Sequence, residues 1–206
     1  MEKRNIRHPK TYESRLKQAV IVVLDRPAVV SEIIGKITET FHLSKPQKIT
    51  SHIHDMEKSG ILRVLTPKLK KTQQGKVYGL TAKGVRYKKQ LAKKAGKKFS
   101  YNELSGVNWH NYGWCLIGRQ KKAVLLALDR KPLRQVEILR KLRENYTNRN
   151  KVAGITRQNL NDILKLMEEK GIAVAAEIQD NKKKKKAFKK YRLSGKGLKI
   201  KEQLRT

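Results

Sequence analysis

Three blocks of sequence occur twice in the same order, and this duplication constrains the fold more than any other feature of the chain. Leu24-Asp25-Arg26-Pro27 returns as Leu128-Asp129-Arg130-Lys131-Pro132, followed by Ser-Glu-Ile-Ile at 31 to 34 against Val-Glu-Ile-Leu at 136 to 139. Met-Glu-Lys-Ser-Gly-Ile at 56 to 61 matches Met-Glu-Glu-Lys-Gly-Ile at 167 to 172, and Tyr-Gly-Leu-Thr-Ala-Lys-Gly at 78 to 84 matches Tyr-Arg-Leu-Ser-Gly-Lys-Gly at 191 to 197. The offset grows from 104 to 105, 111 and 113, which insertions at loops explain. The longest insertion falls around Asn145 to Gly154, among turn-forming Asn, Thr and Gly. A chain of 206 residues is long enough for two such units. The expected organisation is a basic N-terminal arm over 1–14, domains over 15–95 and 119–206, and an aromatic-rich connector over 96–118.

Periodicity fills in each copy. Leu16, Val20, Val23 and Leu24 recur at helical spacing, as do Val124, Ala127 and Leu128, and each helix stops near Asp-Arg-(Lys)-Pro because the residue before proline disfavours the helical basin. A second helix is predicted from about Ser31 to Thr40 with Ile33, Ile34 and Ile37 inward. Its counterpart runs from about Arg134 to Asn145 with Val136, Leu139 and Leu142 inward. A third opens at Ser44 with a capping-box spacing to Gln47 and Pro46 in its first turn, buries Ile49, Ile53 and Met56, and ends at Gly60. In the second copy Thr156 caps, Leu160, Ile163, Leu164 and Met167 face inward, and Gly171 closes. Short apolar runs, Ile61 to Leu65 and Ile172 to Ile178, then a basic stretch and a run ending in Tyr-x-Leu, read as a hairpin with a basic tip. Thr81 or Ser194 caps a last helix. The fold class expected is mainly α with small β-hairpin wings, in two tandem domains.

These residues resemble a winged helix-turn-helix domain. Leu43 to Leu62 is similar to the recognition helix and wing start of MarR-like, ArsR-like and PadR-like bacterial and archaeal regulators, and Tyr-x-Leu-Thr/Ser-x-Lys-Gly resembles the wing's return strand and final helix. The resemblance covers 15–95 and 119–206, and implies a recognition helix that enters a DNA major groove. Those regulators carry one such domain per subunit and dimerise. Two in one chain imply a monomer acting as a pseudo-dimer, or a weak homodimer, on a site without a palindrome.

Charge names the class of partner. The chain holds 50 Lys and Arg against 17 Asp and Glu, a net +33, which draws polyanions. Residues 1–95 carry net +15 and 119–206 net +17, so neither half is merely a basic tail. Base or groove contact is expected from Gln47, Lys48, Thr50, Ser51 and His54, and from Arg157, Gln158, Asn161, Asp162 and Lys165, which lie opposite the buried stripes. Gln and Asn pair with adenine and Arg with guanine. Phosphate contact is expected from Lys68, Lys70, Lys71 and Lys76 in one hairpin. In the other it is expected from Lys182, Lys183, Lys184, Lys185, Lys186, Lys189, Lys190 and Arg192.

The remaining signals point away from catalysis. No Walker-type glycine loop appears, and acidic residues are scattered, with Asp25, Glu32, Asp129 and Glu137 repeating between the copies as fold residues would. His52 and His54 sit about 200° apart on a helix and cannot share a metal, His52 being expected at the helix flank. Cys115 lies beside Trp114, Leu116 and Ile117, a setting for a buried inert thiol. No cofactor, metal or enzymatic activity is expected. The connector holds five of the twelve aromatics, and reads either as rings packed between the domains or as a small-molecule pocket there. No stretch approaches the roughly 18 apolar residues of a membrane span, and the start lacks a secretory signal, so a cytoplasmic protein on the nucleoid is expected. The functions carried forward are double-stranded DNA binding in transcriptional control, an architectural nucleoid role, RNA binding, and effector sensing through the connector.

Overall fold

The computed structural model describes residues 11–42, 47–66, 75–146, 155–178 and 188–205. The chain divides into two compact units, one ending at Ser105 and the other beginning at Gly106. The first unit runs α1 (Thr11–Val23), β1 (Ala28–Val29), α2 (Val30–Phe41), α3 (Gln47–Lys58), β2 (Leu62–Val64), β3 (Val77–Leu80) and α4 (Ala82–Lys94). The second runs α5 (Trp109–Leu116), α6 (Arg119–Ala127), β4 (Leu133–Arg134), α7 (Gln135–Tyr146), α8 (Arg157–Glu169), β5 (Ala173–Ile178), β6 (Phe188–Leu193) and α9 (Gly195–Arg205). Both are mainly helical with a small antiparallel sheet, ordered β1-β3-β2 in one and β4-β6-β5 in the other. Register agrees too: Leu62 stands opposite Leu80, and Ala173 opposite Leu193.

The core of the first unit is the stripe expected from spacing. Leu16, Val20, Val23 and Leu24 of the α1 region, Ile33 and Ile37 of α2, and Ile49, Ile53 and Met56 of α3 are buried together. Each fully buried side chain of this size contributes roughly 1.5–3 kcal/mol. In the second unit Leu160, Ile163, Leu164 and Met167 of α8 are buried in the same manner. Thr156 caps α8 by accepting from the Asn159 amide, and Gly60 and Gly171 take positive φ of 68° and 65° just beyond the helix ends.

The two units agree down to individual bonds. Thr81 and Ser194 each accept from an amide three residues on, Gly84 or Gly197, and each donates its hydroxyl to the carbonyl of Gly60 or Gly171. A Cβ on Gly84 would lie 2.3 Å from the Ile61 carbonyl, and one on Gly197 2.2 Å from that of Ile172. Only glycine lets the last helix approach the chain this closely. Lys88 is buried and donates to the Leu24 carbonyl at 2.7 Å and to Asp25 at 3.0 Å; Lys201, also buried, donates to the Leu128 carbonyl and to Asp129.

Two sequence expectations are corrected, and two features are added to the expected picture. Val136 is not inward: it is 58% exposed, and Ile138 is the buried residue, because Val136 occupies the open side of the first turn as its counterpart Ser31 does. His52 is not at a flank but buried at 6% exposure. Each sheet has a third strand, β1 or β4, that pairing alone creates from two residues. Segment 96–118 is shared between the units. The Tyr101 hydroxyl accepts from the Leu80 amide and Leu104 is buried in the first, while α5, packed on α6, buries Tyr112 and Cys115 in the second. The capping box at Ser44 and Pro46, most of the Asn145–Gly154 insertion and the arm before Thr11 lie outside the described residues.

Candidate nucleic-acid interface

An amphipathic helix that buries one stripe must turn its opposite row to solvent, and α3 and α8 both do so. Lys48, Thr50, Ser51 and His54 are exposed on α3, with Gln47 opening the helix and its side chain outside the described set. Ser51 spends its hydroxyl on the Lys48 carbonyl at 2.8 Å. On α8, Arg157, Gln158, Asn161, Asp162 and Lys165 are all exposed.

Two of the α8 side chains are oriented by partners. The Gln158 amide donates to Asp162 at 3.2 Å, and the Gln135 amide, from the first residue of α7, donates to the Asn161 side-chain oxygen at 2.9 Å. These bonds fix the amide groups before any ligand arrives. Glu137 accepts from the Arg134 amide at 2.6 Å, which caps α7 and fixes the chain entering it. In the first unit the equivalent Glu32 is instead drawn to the Arg26 guanidinium, at 2.7 Å.

The hairpin cations divide between two faces. Lys189 lines a cleft of about 540 Å³ with Arg134, Gln135, Val136, Arg157 and Asn161. A neighbouring cleft of about 440 Å³ adds Lys165, Glu168 and Glu169. Lys190 and Arg192 alternate with Lys189 and Tyr191 along β6 and so stand on the opposite face of the strand. Lys76 precedes β3 at the position equivalent to Lys189 and is half-buried. Lys68, Lys70, Lys71 and Lys182 to Lys186 lie outside the described residues.

The helix row and the hairpin strand of the second unit therefore meet in one groove, lined by Arg134, Arg157 and Lys189 together with Glu137, while Glu168 and Glu169 line the cleft beside it. Such a groove can take an anion against its guanidinium groups and a polar edge against the Gln135–Asn161 pair. Arg134, Gln135, Val136 and Tyr191 are missing from the sequence-based set. For two of them the exchange between the copies is the signal: Arg134-Gln135 replaces Val29-Val30 of the first copy, polar residues where fold alone is content with valine.

The other chemistry-bearing residues are set apart from this groove. Cys115 is fully buried, and burial pushes its thiol up to about 12. Trp114 lies under the ammonium groups of Lys121 at 4.4 Å and Lys170 at 5.5 Å. Among the described residues no group of His, Cys, Asp and Glu could hold a metal ion, and no helix is long and apolar enough to cross a membrane. No protein-family model matches the chain, and neither a curated protein nor a solved structure does.

Proposed function

We propose that the chain binds double-stranded DNA through two winged-helix units and acts in transcriptional control. The observation that carries this reading is the groove of the second unit, where the exposed row of α8 and Lys189 of the hairpin strand converge with Arg134. A helix whose outward side chains read base edges needs cationic neighbours that hold the phosphates on either side, and the groove offers both. Repetition of the same topology in the first unit supplies a second helix with a different outward row. One chain then does what a symmetric dimer does, on a site that is not palindromic.

A second reading, an architectural protein of low sequence specificity, is favoured by the net charge of +33. Binding of random duplex DNA, selected DNA sites and duplex RNA at two salt concentrations separates the two. A specificity ratio of about 10³ or more supports the regulator. Uniform tight binding with compaction supports the architectural role, and preference for RNA overturns both. With roughly 8 phosphates neutralised, the logarithm of the binding constant falls against the logarithm of salt with a slope near about −7.

A further inference from the structure

Helix α4 bears a second cationic surface that the reading helices do not explain. Lys83, Arg86, Lys93 and Lys94 are exposed along it, and the chain just beyond adds exposed Lys97 and Lys98. The helix contains no acidic residue. Arg86, Lys93, Lys94, Lys97 and Lys98 have no ion-pair partner among the described residues, while Lys83 donates to the Ser59 carbonyl and Lys89 lies over the Phe99 ring.

The row is costly to the fold. Like charges three or four positions apart, as in Lys83 with Arg86 and Lys89 with Lys93, destabilise a helix. The fold does not demand all of it: α9 occupies the same place in the second unit and keeps Lys196 and Lys199 where α4 has Lys83 and Arg86, but sets Glu202 where α4 has Lys89. Counter-charge from outside the chain relieves the repulsion.

Shape and surroundings select the occupant. From Lys83 to Lys94 the row extends roughly 16 Å along the helix, a length matched by about five phosphates of one duplex strand at one per about 3.4 Å. An isolated phosphate uses little of it. An interfacial membrane helix needs a free apolar face, and that of α4 is spent on α1 and β3, leaving Tyr87 as its exposed large apolar side chain. The row also belongs to a different element from the outward row of α3, with α1 packed against both helices.

We propose that this face of α4 docks the backbone of a second segment of duplex nucleic acid, so that one chain holds two duplexes. The proposal rests on the duplex-binding reading. Its test saturates the intact protein with an immobilised DNA duplex and measures capture of a second, differently labelled duplex, for wild type and for the combined variant Arg86→Gln, Lys93→Gln, Lys94→Gln, Lys97→Gln. Thermal unfolding followed by circular dichroism confirms that the variant folds. Wild type should capture the second duplex, and the variant should capture it at least about tenfold less. Equal capture by the two proteins overturns the α4 assignment. So does a wild type that binds the first duplex but captures no second, which leaves the duplex reading standing; failure to bind the first duplex removes the reading itself. Anionic phosphatidylglycerol vesicles form the other arm, and loss of vesicle binding in the variant with duplex capture unchanged assigns the face to lipid and overturns the proposal.

Discussion

A buried ammonium is expensive unless its hydrogens are used, and Lys88 uses them on the Leu24 carbonyl and Asp25. Burial pushes its pKa below the ordinary lysine value, against the pull of Asp25. The bond ties α4 to the end of α1, and Lys201 ties α9 to the end of α6 in the same way. Replacing Lys88 by Ala should destabilise the first unit by about 2 kcal/mol, the scale of a hydrogen bond to a charged group, because Asp25 keeps Lys36 nearby at 3.5 Å. Urea unfolding measures it. Cys115 gives a pH-dependent counterpart. Its thiol titrates near 9 when unfolded and at about 12 when folded, so its share of stability is intact below 9 and is lost as pH climbs from 9 toward 12. The folded protein at pH 8 should leave a colorimetric thiol reagent unconsumed until denaturant is added, and Cys115→Ala should flatten that part of the alkaline loss. Immediate reaction in the folded protein would contradict the burial.

At the scale of elements, helix and hairpin are assigned different work. Arg157→Ala or Gln158→Ala should change which duplex is preferred, since a good bidentate pair is worth about 1–3 kcal/mol of discrimination. Thinning the lysines at 182 to 186 should weaken all duplexes alike, as a phosphate contact does. Competition binding across a panel of duplexes measures both, and identical behaviour of the two variants would contradict the division. The helices that carry this scheme were legible because a 3.6-residue period must bury one stripe: Ile49, Ile53 and Met56, or Leu160, Ile163 and Leu164, leave no other outward row. Strands β1 and β4 were not, since two residues hold no period and only pairing with β3 or β6 defines them. Val136 was misread because an apolar residue in a first turn satisfies the period while still facing the groove. His52 was misread because its polarity suggests exposure, whereas its place on α3 is equivalent to that of the buried Ile163 on α8. Arg134 of β4 and Gln135 of α7 are marked in the sequence only by their exchange for Val29-Val30 of the first copy, and it takes tertiary structure to bring Gln135 to Asn161.

For the whole molecule, duplication and charge have separate consequences. Duplication yields two units with the same strand order and the same glycine, hydroxyl and lysine bonds, yet with unlike outward rows on α3 and α8. Charge at +33 opposes compaction of the free protein and raises affinity for any polyanion, so added salt should weaken duplex binding steeply while relieving self-repulsion. Selectivity is then expected from the outward rows of α3 and α8, strongest in the α8 groove, with affinity spread over both units. Backbone amide chemical shifts followed by NMR during titration with a selected DNA duplex test this most directly. The largest changes should fall on α3, on α8 and the start of α7, and on β6. Shifts that leave the amides of 157–169 and 188–193 in place while moving others, at a salt where the duplex is bound, would contradict it.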